Sequence, residues 1–308
     1  MTGYSPEVAV LLCTYNGNRF LSSQLESLLN QAAVSVSLTA SDDGSTDNTV
    51  QILRDCSRHN RQIIDLRQGP RAGAAQNFLS LICDKNISAN YFAYADQDDI
   101  WDEDKLSRAV SALAECHPNR PALYCARTRS LSASGEISGC SPLFCRSPSF
   151  ANALVHNIGG GNTMVMNRAS RELLCRGGNV DVVSHDWWTY LLVSGAGGTV
   201  IYDPEPCLDY RQHSANQIGA NTGIKRRASR YLEALNGRNR DWNSRNISAL
   251  EQNAALLTPD NQQRLRSFSQ SRHGGLLTRF RGIRRAGLYA QTFSGNLGLF
   301  FATLLKKI

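Results

Sequence analysis

The stretch Tyr91-Phe-Ala-Tyr-Ala-Asp-Gln-Asp-Asp-Ile-Trp101 decides how this 308-residue chain is read. Its first five residues are apolar without alternation, as in a strand buried on both faces. The next four put three carboxylates, Asp96, Asp98 and Asp99, directly at the strand end. In open parallel sheets, ligands sit beyond the carboxyl ends of strands. Carboxylates this close repel one another unless a cation sits among them. Hard oxygen donors suit Mg²⁺ or Mn²⁺, which in turn bridge phosphate oxygens. The competing reading is a solvated turn, with Asp102 and Asp104 capping the next helix. The strand before and the apolar helical pattern after it favour a site.

Two more apolar runs end in polar clusters upstream. Val8-Ala-Val-Leu-Leu-Cys13 leads to Thr14-Tyr-Asn16, and Val34–Ala40 leads to Asp42-Asp-Gly-Ser-Thr-Asp47. Between them Leu21, Leu25, Leu28 and Leu29 recur at helical spacing. The Asp42–Asp47 loop is expected to enter a helix through Leu53, with Ser45 or Thr46 as N-cap. Ile63–Leu66 and Leu123–Ala126 read as strands, and helices are expected around Phe78–Ile82 and Leu106–Leu113. This alternation predicts an α/β fold: a mixed, mostly parallel sheet flanked by helices. Ser130–Asn157 lacks periodicity and reads as loops. Gly159-Gly-Gly161 precedes a strand at Thr163–Met166. Asp186–Val193 reads as a helix and Thr199–Tyr202 as a strand. After about Ala220 the chain turns basic and helical, with breaks expected at Gly237 and Gly274-Gly275. Two domains are expected, an α/β body at 1–220 and a basic helical extension at 221–308.

The net charge of +7 first suggests a nucleic-acid or anionic-membrane partner. From Lys225 onward, however, there are 16 basic and 4 acidic residues, against 17 basic and 22 acidic before it. An acidic body without interleaved aromatic and basic residues argues against nucleic acid. Nine scattered cysteines with no Cys-x-x-Cys pair predict reduced thiols in a cytoplasmic protein. The N-terminus does not read as a signal peptide, and no apolar run approaches the ~20 residues of a membrane span. Neither a P-loop nor a dinucleotide glycine pattern follows the first strand, so ATPase and dehydrogenase readings lack their motifs. In the tail, Arg279, Arg281, Arg284 and Arg285 precede Tyr289, Phe293, Leu297, Phe300 and Leu304, which share one helical stripe, and Lys306 and Lys307 close the chain. Such a segment either lies on an anionic membrane or packs on the body.

Val8–Gly17, Asp42–Asp47 and Asp96–Trp101 together resemble inverting family 2 glycosyltransferases of the GT-A fold. Gly73 with Asn77-Phe78, Gly159–Met166, His185-Asp-Trp-Trp188 and Tyr210-Arg-Gln-His213 resemble a rhamnosyltransferase-like branch that builds bacterial surface polysaccharide such as O-antigen. The resemblance spans about residues 7–217. It implies a sugar transfer, best guessed as L-rhamnose from dTDP-L-rhamnose, to a glycan or polyprenyl-diphosphate-linked acceptor. It also implies a place on the inner face of the cell membrane. Cys13, Thr14, Tyr15 and Asn16 would line the nucleotide pocket, with Gln97 alongside. Asp43 would meet the base imide and Asp96 the ribose. Asp98 and His213 would hold the divalent metal, and Arg71 or Arg211 would neutralise the diphosphate. Asp186 would be the general base, on the acceptor side with His185, Trp187 and Trp188. For Asp186 an alternative is a carboxylate favoured by the helix N-terminus, and for one of the tryptophans it is the core. The family often has Lys where this chain has Gln76. A rival function is a non-catalytic glycan- or lipid-binding module. A nucleotidyltransferase would need a basic glycine-rich phosphate loop near the N-terminus, which is missing.

Overall fold

The computed structural model describes residues 5–60, 63–132, 135–212 and 238–308. Strands β1 (Glu7–Thr14), β2 (Ser35–Asp42), β3 (Ile63–Gln68) and β4 (Tyr91–Ala95) pair in parallel in the order β3-β2-β1-β4. The connecting helices are α1 (Leu21–Leu29), α2 (Thr49–His59) and α3 (Ala74–Ile82). The chain builds outward from β1 to β3 and then returns to the other side of β1. The order therefore reverses between β1 and β4, which opens a crevice at their carboxyl ends. Cys13–Asn16 and Asp96–Asp98 both lie there.

The remaining described strands are β5 (Ile100–Trp101), β6 (Ala122–Leu131), β7 (Ile137–Cys140), β8 (Val165–Asn167) and β9 (Thr199–Arg211), and the sheet continues β4-β8-β6-β9-β5 with β7 on β6. Strand β8 runs antiparallel to β4, with Ala93 opposite Val165. The residues just before β8 therefore sit beside the residues just after β4. This reversal brings the glycine-rich segment to Asp96. Helices α4 (Lys105–Ala114), α5 (Phe150–Ala153), α6 (Arg168–Gly177) and α7 (His185–Gly195) complete the body. Ser130–Asn157, expected as loops, contains β7 and α5. Both are only four residues long, too short to give a periodic pattern.

Hydrophobic side chains cover both sheet faces, which explains the unbroken apolar strands. Ala9, Leu11 and Cys13 join a cluster with Phe92, Tyr94 and Trp188, while Val8, Val10 and Leu12 join another with Leu21, Leu25 and Leu106. The C-terminal helices are α8 (Arg238–Gln252), α9 (Pro259–Arg272), α10 (Leu276–Ala286) and α11 (Phe293–Leu304). Ile247, Leu250, Leu265 and Phe268 enter the same cluster as Trp188. The expected boundary near residue 220 lies outside the described residues, as does the break at Gly237. The break at Gly274-Gly275 falls between α9 and α10.

Candidate active site

The crevice is built from three loops that hold one another. Asp42 organises the loop after β2: Oδ1 accepts from Thr14 Oγ1 at 2.9 Å and Ser45 Oγ at 2.5 Å, and Oδ2 from the Ser45 N–H at 2.8 Å. Ser45 Oγ also accepts the Asn16 N–H at 2.8 Å, and Asn16 Oδ1 accepts the Thr46 N–H at 2.9 Å. Asn16 has φ 49°, a left-handed conformation that Asn tolerates. Ser45 and Thr46 therefore stitch loops together and do not cap a helix. Helix α2 starts later, with Asn48 at the N-cap. The expected cap is thus corrected, because tertiary contacts claim both hydroxyl residues.

Gln97 pairs with the backbone of Tyr15 in both directions, accepting its N–H at 2.8 Å and donating to its carbonyl at 3.0 Å. A Cβ on Gly17 would stand 2.2 Å from Gln97 Oε1, so this approach requires glycine. Gln97 thus locks the β1 and β4 loops together. Tyr15 is left 57% exposed at the mouth. Thr14 and Cys13 are buried below it, and burial, with Asp96 and Asp43 nearby, raises the Cys13 thiol. Asp43 is half-buried and accepts the backbone N–H of Arg71 at 2.6 Å and of Gly73 at 2.8 Å. It builds the turn after β3, and each oxygen keeps a lone pair for a further donor. Arg71 is exposed on that turn. Gln76 donates to the Val180 carbonyl at 2.8 Å, tying α3 to the segment before α7. The position at which the family often has Lys is thus used for packing. Arg211 lies with its guanidinium 5.0 Å from the Phe20 ring centre.

Burial and then the charges of Asp98 and Asp186 push the Asp96 carboxyl up to about 7. Asp96 therefore feels the charges of both Asp98 and Asp186. Asp99 differs from its neighbours. It is fully buried, its Oδ2 accepts from Asn162 Nδ2 at 2.6 Å, and burial raises its carboxyl well above the ordinary range. Lys105 is also fully buried, with Nζ 3.2 Å from the Trp101 ring centre, and burial lowers it to about 8. Asp102 does not cap α4: its carboxylate forms a two-pronged ion pair with Arg129, which also reaches Asp209 at 2.5 Å. Asp104 is at the N-cap but makes no side-chain capping bond.

Asp186 stands in the first turn of α7 and is 7% exposed. Its Oδ1 accepts from Ser184 Oγ and from the Trp187 N–H at 2.6 Å, and its Oδ2 from the Gly161 N–H at 3.2 Å. The other residues expected on the acceptor side need correction. Trp188 is fully buried in the core. Trp187 is 8% exposed and donates its indole N–H to the Ala153 carbonyl at 2.7 Å. His185 stacks on Phe78 with ring centres 3.9 Å apart and meets the edge of Tyr94 at 4.8 Å. These side chains anchor the start of α7, and none offers a ring face to a sugar. Burial depresses the His185 imidazole to about 4. Asn162, Ser184 and Lys105 had no predicted role. A polar residue inside a glycine-rich segment was the sole signal for Asn162, and nothing marked the other two.

The donor set fits a hard cation: carboxylates two residues apart on one loop, with Asp96 raised by burial and then by the neighbouring negative charge that a dication would offset. Among the described residues no three His, Cys, Asp or Glu side chains converge as a complete cage. His213 lies outside the described residues. A cavity of about 410 Å³ lined by Phe150, Ser194, Val200, Asn261 and Arg264 lies at the amino end of β9, opposite the crevice.

The model of the glycosyl transferase family 2 matches residues 9–133. The chain is 30% identical over 234 residues to a dTDP-rhamnosyl transferase, RfbG, of Shigella flexneri, covering 71% of this chain and 77% of the relative. It is 28% identical over 117 residues to a putative teichuronic acid biosynthesis glycosyltransferase, TuaG, of Bacillus subtilis, covering 37% and 45% of the two chains. In structure it resembles a mannosyltransferase of Pyrobaculum calidifontis solved with GDP-Man and Mn²⁺, with TM-score 0.55 at 17% identity over 98% of this chain and 81% of that one. It also resembles TarS of S. aureus with UDP-GlcNAc, with TM-score 0.53 at 13% identity over 92% and 93% of the chains. The chain belongs to glycosyl transferase family 2, has the GT-A fold expected from its sequence, and is a glycosyltransferase.

Proposed function

We propose that this enzyme moves a sugar, with inversion, from a nucleotide diphosphate to a hydroxyl of a glycan or lipid-linked glycan, using Asp186 as the general base. The observation that carries this reading is the placement of Asp186 across the crevice from Asp96, held by three donors yet with a lone pair left on Oδ2. The acceptor oxygen attacks the anomeric carbon as its proton passes to Asp186, and the anomeric bond to the diphosphate breaks. Tyr15 and Asp43, at the mouth and wall of the crevice, meet the nucleotide, and Asp96 the ribose. Asp98 would hold Mg²⁺ or Mn²⁺ with the diphosphate, and the cation would stabilise charge on the leaving group. Mn²⁺ accompanies GDP-Man in the structurally similar mannosyltransferase, which supports the metal. The name of the Shigella relative supports dTDP-L-rhamnose as donor.

The exposed apolar side of α11 supports a peripheral place on an anionic membrane, where lipid-linked acceptors lie. Phe293 is 86% exposed, and Leu297, Phe300, Phe301, Leu304 and Leu305 between 41% and 49%. Arg281, Arg284, Arg285 and Lys306 are exposed nearby in sequence. Among the described residues no helix is long and apolar enough to cross a membrane.

A thermal-shift panel of dTDP, UDP and GDP with and without Mn²⁺ tests the donor site, and a stabilisation that needs the metal is expected. Asp186→Asn should slow turnover about 10²–10⁴-fold while leaving nucleotide binding nearly unchanged. Release of nucleotide diphosphate from the best-bound nucleotide sugar, with water as acceptor, reads this out. Loss of nucleotide binding in that variant would mean that Asp186 belongs to the donor pocket.

A further inference from the structure

Asn162 lies in the short 3₁₀ turn Gly161–Thr163 that precedes β8. It is 3% exposed, and its Nδ2 donates to Asp99 Oδ2 at 2.6 Å. The residue before it, Gly161, donates its N–H to Asp186 Oδ2 at 3.2 Å. Two consecutive residues of one turn thus grip carboxylates from two distant segments, one beside the donor loop and one on the acceptor side. The turn has little room to shift. A Cβ on Gly161 would stand 2.3 Å from His185 Nε2, and His185 is itself stacked on Phe78. Among the described residues Asp99 makes no other side-chain hydrogen bond, and its buried Oδ1 meets no partner there. Its observed bond is therefore to Asn162. It faces away from bulk water, unlike a ligand-binding carboxylate at the crevice mouth.

We infer that Asn162, braced by Asp99, is a positioning residue that sets the Asp186 carboxylate relative to the Asp96–Asp98 loop. The inference rests on the reading of Asp186 as the base. A base must meet the attacking hydroxyl within hydrogen-bond reach, and a displacement of about 1 Å can cost about 10²-fold in rate. Asn162 is buried against Asp99 and acts on Asp186 only through Gly161. The fourth residue of the Asp96-Gln-Asp-Asp99 run then acts as a buried brace for the Gly161–Thr163 turn, although it is contiguous with the donor loop.

The test measures nucleotide diphosphate release with water as acceptor, using the nucleotide sugar that binds best, together with nucleotide affinity and melting temperature. Asn162→Ala is expected to lower kcat about 10²-fold, with KM for the donor and Kd for the nucleotide diphosphate changed less than about threefold. Asp99→Asn keeps an oxygen to accept from Asn162 and should retain kcat within about fivefold, whereas Asp99→Ala should resemble Asn162→Ala. The double variant Asp99→Ala with Asn162→Ala should lose no more than either single variant, because both remove one contact. If Asn162→Ala does not melt cooperatively, Asn162→Ser replaces it. Wild-type kcat in the Asn162 variant, additive losses in the double variant, or a kcat loss matched by lost nucleotide binding would each overturn the inference. Asp186→Asn separates the two levels. If it keeps wild-type turnover, the base assignment and the inference fall together. If it is inactive while Asn162→Ala is fully active, the inference alone falls.

Discussion

His185 shows how one residue in this site trades solubility for position. Burial against Phe78, Tyr94 and Gly161 keeps its ring neutral, depressed from 6.5 to about 4. A group with a depressed pKa contributes stability above its unfolded pKa, and that stability is lost as pH falls towards the folded value. Between pH 7 and pH 5 the unfolded chain takes up a proton here that the folded protein refuses. This residue alone should cost about 2 kcal/mol over that window. Urea unfolding at both pH values should show the loss in the wild type, and a smaller one in His185→Phe. An equal loss in both proteins would mean that His185 is not held neutral. Asp186, its neighbour, was legible in the sequence as a carboxylate opening a helix. The packing of His185, Trp187 and Trp188 was not, because an aromatic residue beside a candidate base reads the same whether it faces a ligand or the core.

The elements show a similar division. Strands β1, β2 and β4 were readable because a strand covered on both faces must be apolar throughout, and their ends then locate the crevice. The caps were not readable. Ser45 and Thr46 have the chemistry of N-caps, but Asp42 and Asn16 claim them first. The turn after β3 depends on Asp43 in the same way, through the N–H groups of Arg71 and Gly73. Asp43→Ala should loosen that turn and weaken binding of nucleotide diphosphate by about tenfold or more, since hydrogen bonds to charged groups are worth about 1.5–3 kcal/mol. Titration calorimetry checks this, and an unchanged Kd would remove Asp43 from the nucleotide pocket. Strand β7 and helix α5 were hidden because four residues carry no period.

For the whole molecule, the basic tail proves to have two kinds of cation. Arg272 and Arg279 are buried and serve the fold: Arg279 donates to the carbonyls of Thr303 at 2.8 Å, Gly274 at 2.8 Å and Leu304 at 3.2 Å, and Arg272 to that of Ile308 at 3.0 Å. Arg279→Ala should cost about 3 kcal/mol by denaturant unfolding, because buried charged donors to three carbonyls, those of Gly274 and Leu304 among them, are lost. The exposed cations, Arg281, Arg284, Arg285 and Lys306, lie near α11 in sequence, and any contribution they make to an anionic surface should vanish with salt. Sedimentation with phosphatidylglycerol vesicles is expected at low ionic strength, less in high salt, and less again when Phe293 and Phe300 are both changed to Ser. Equal sedimentation with purely zwitterionic vesicles would argue against an anionic surface.

From its sequence alone the chain was readable as an α/β protein with polar clusters at three strand ends, two of them carrying carboxylates, and a basic helical tail. Burial on both faces writes itself into local hydrophobicity, and a turn rich in Asp after a buried strand has few uses. Which carboxylate lines the crevice and which is buried was decided only in three dimensions. Asp98 and Asp99 are adjacent and chemically identical, yet the antiparallel run of β8 brings Asn162 onto Asp99 and takes it out of the crevice. Long-range pairing, burial and the competition for hydrogen-bond partners set those roles, and none of the three has a signature within a few residues of sequence.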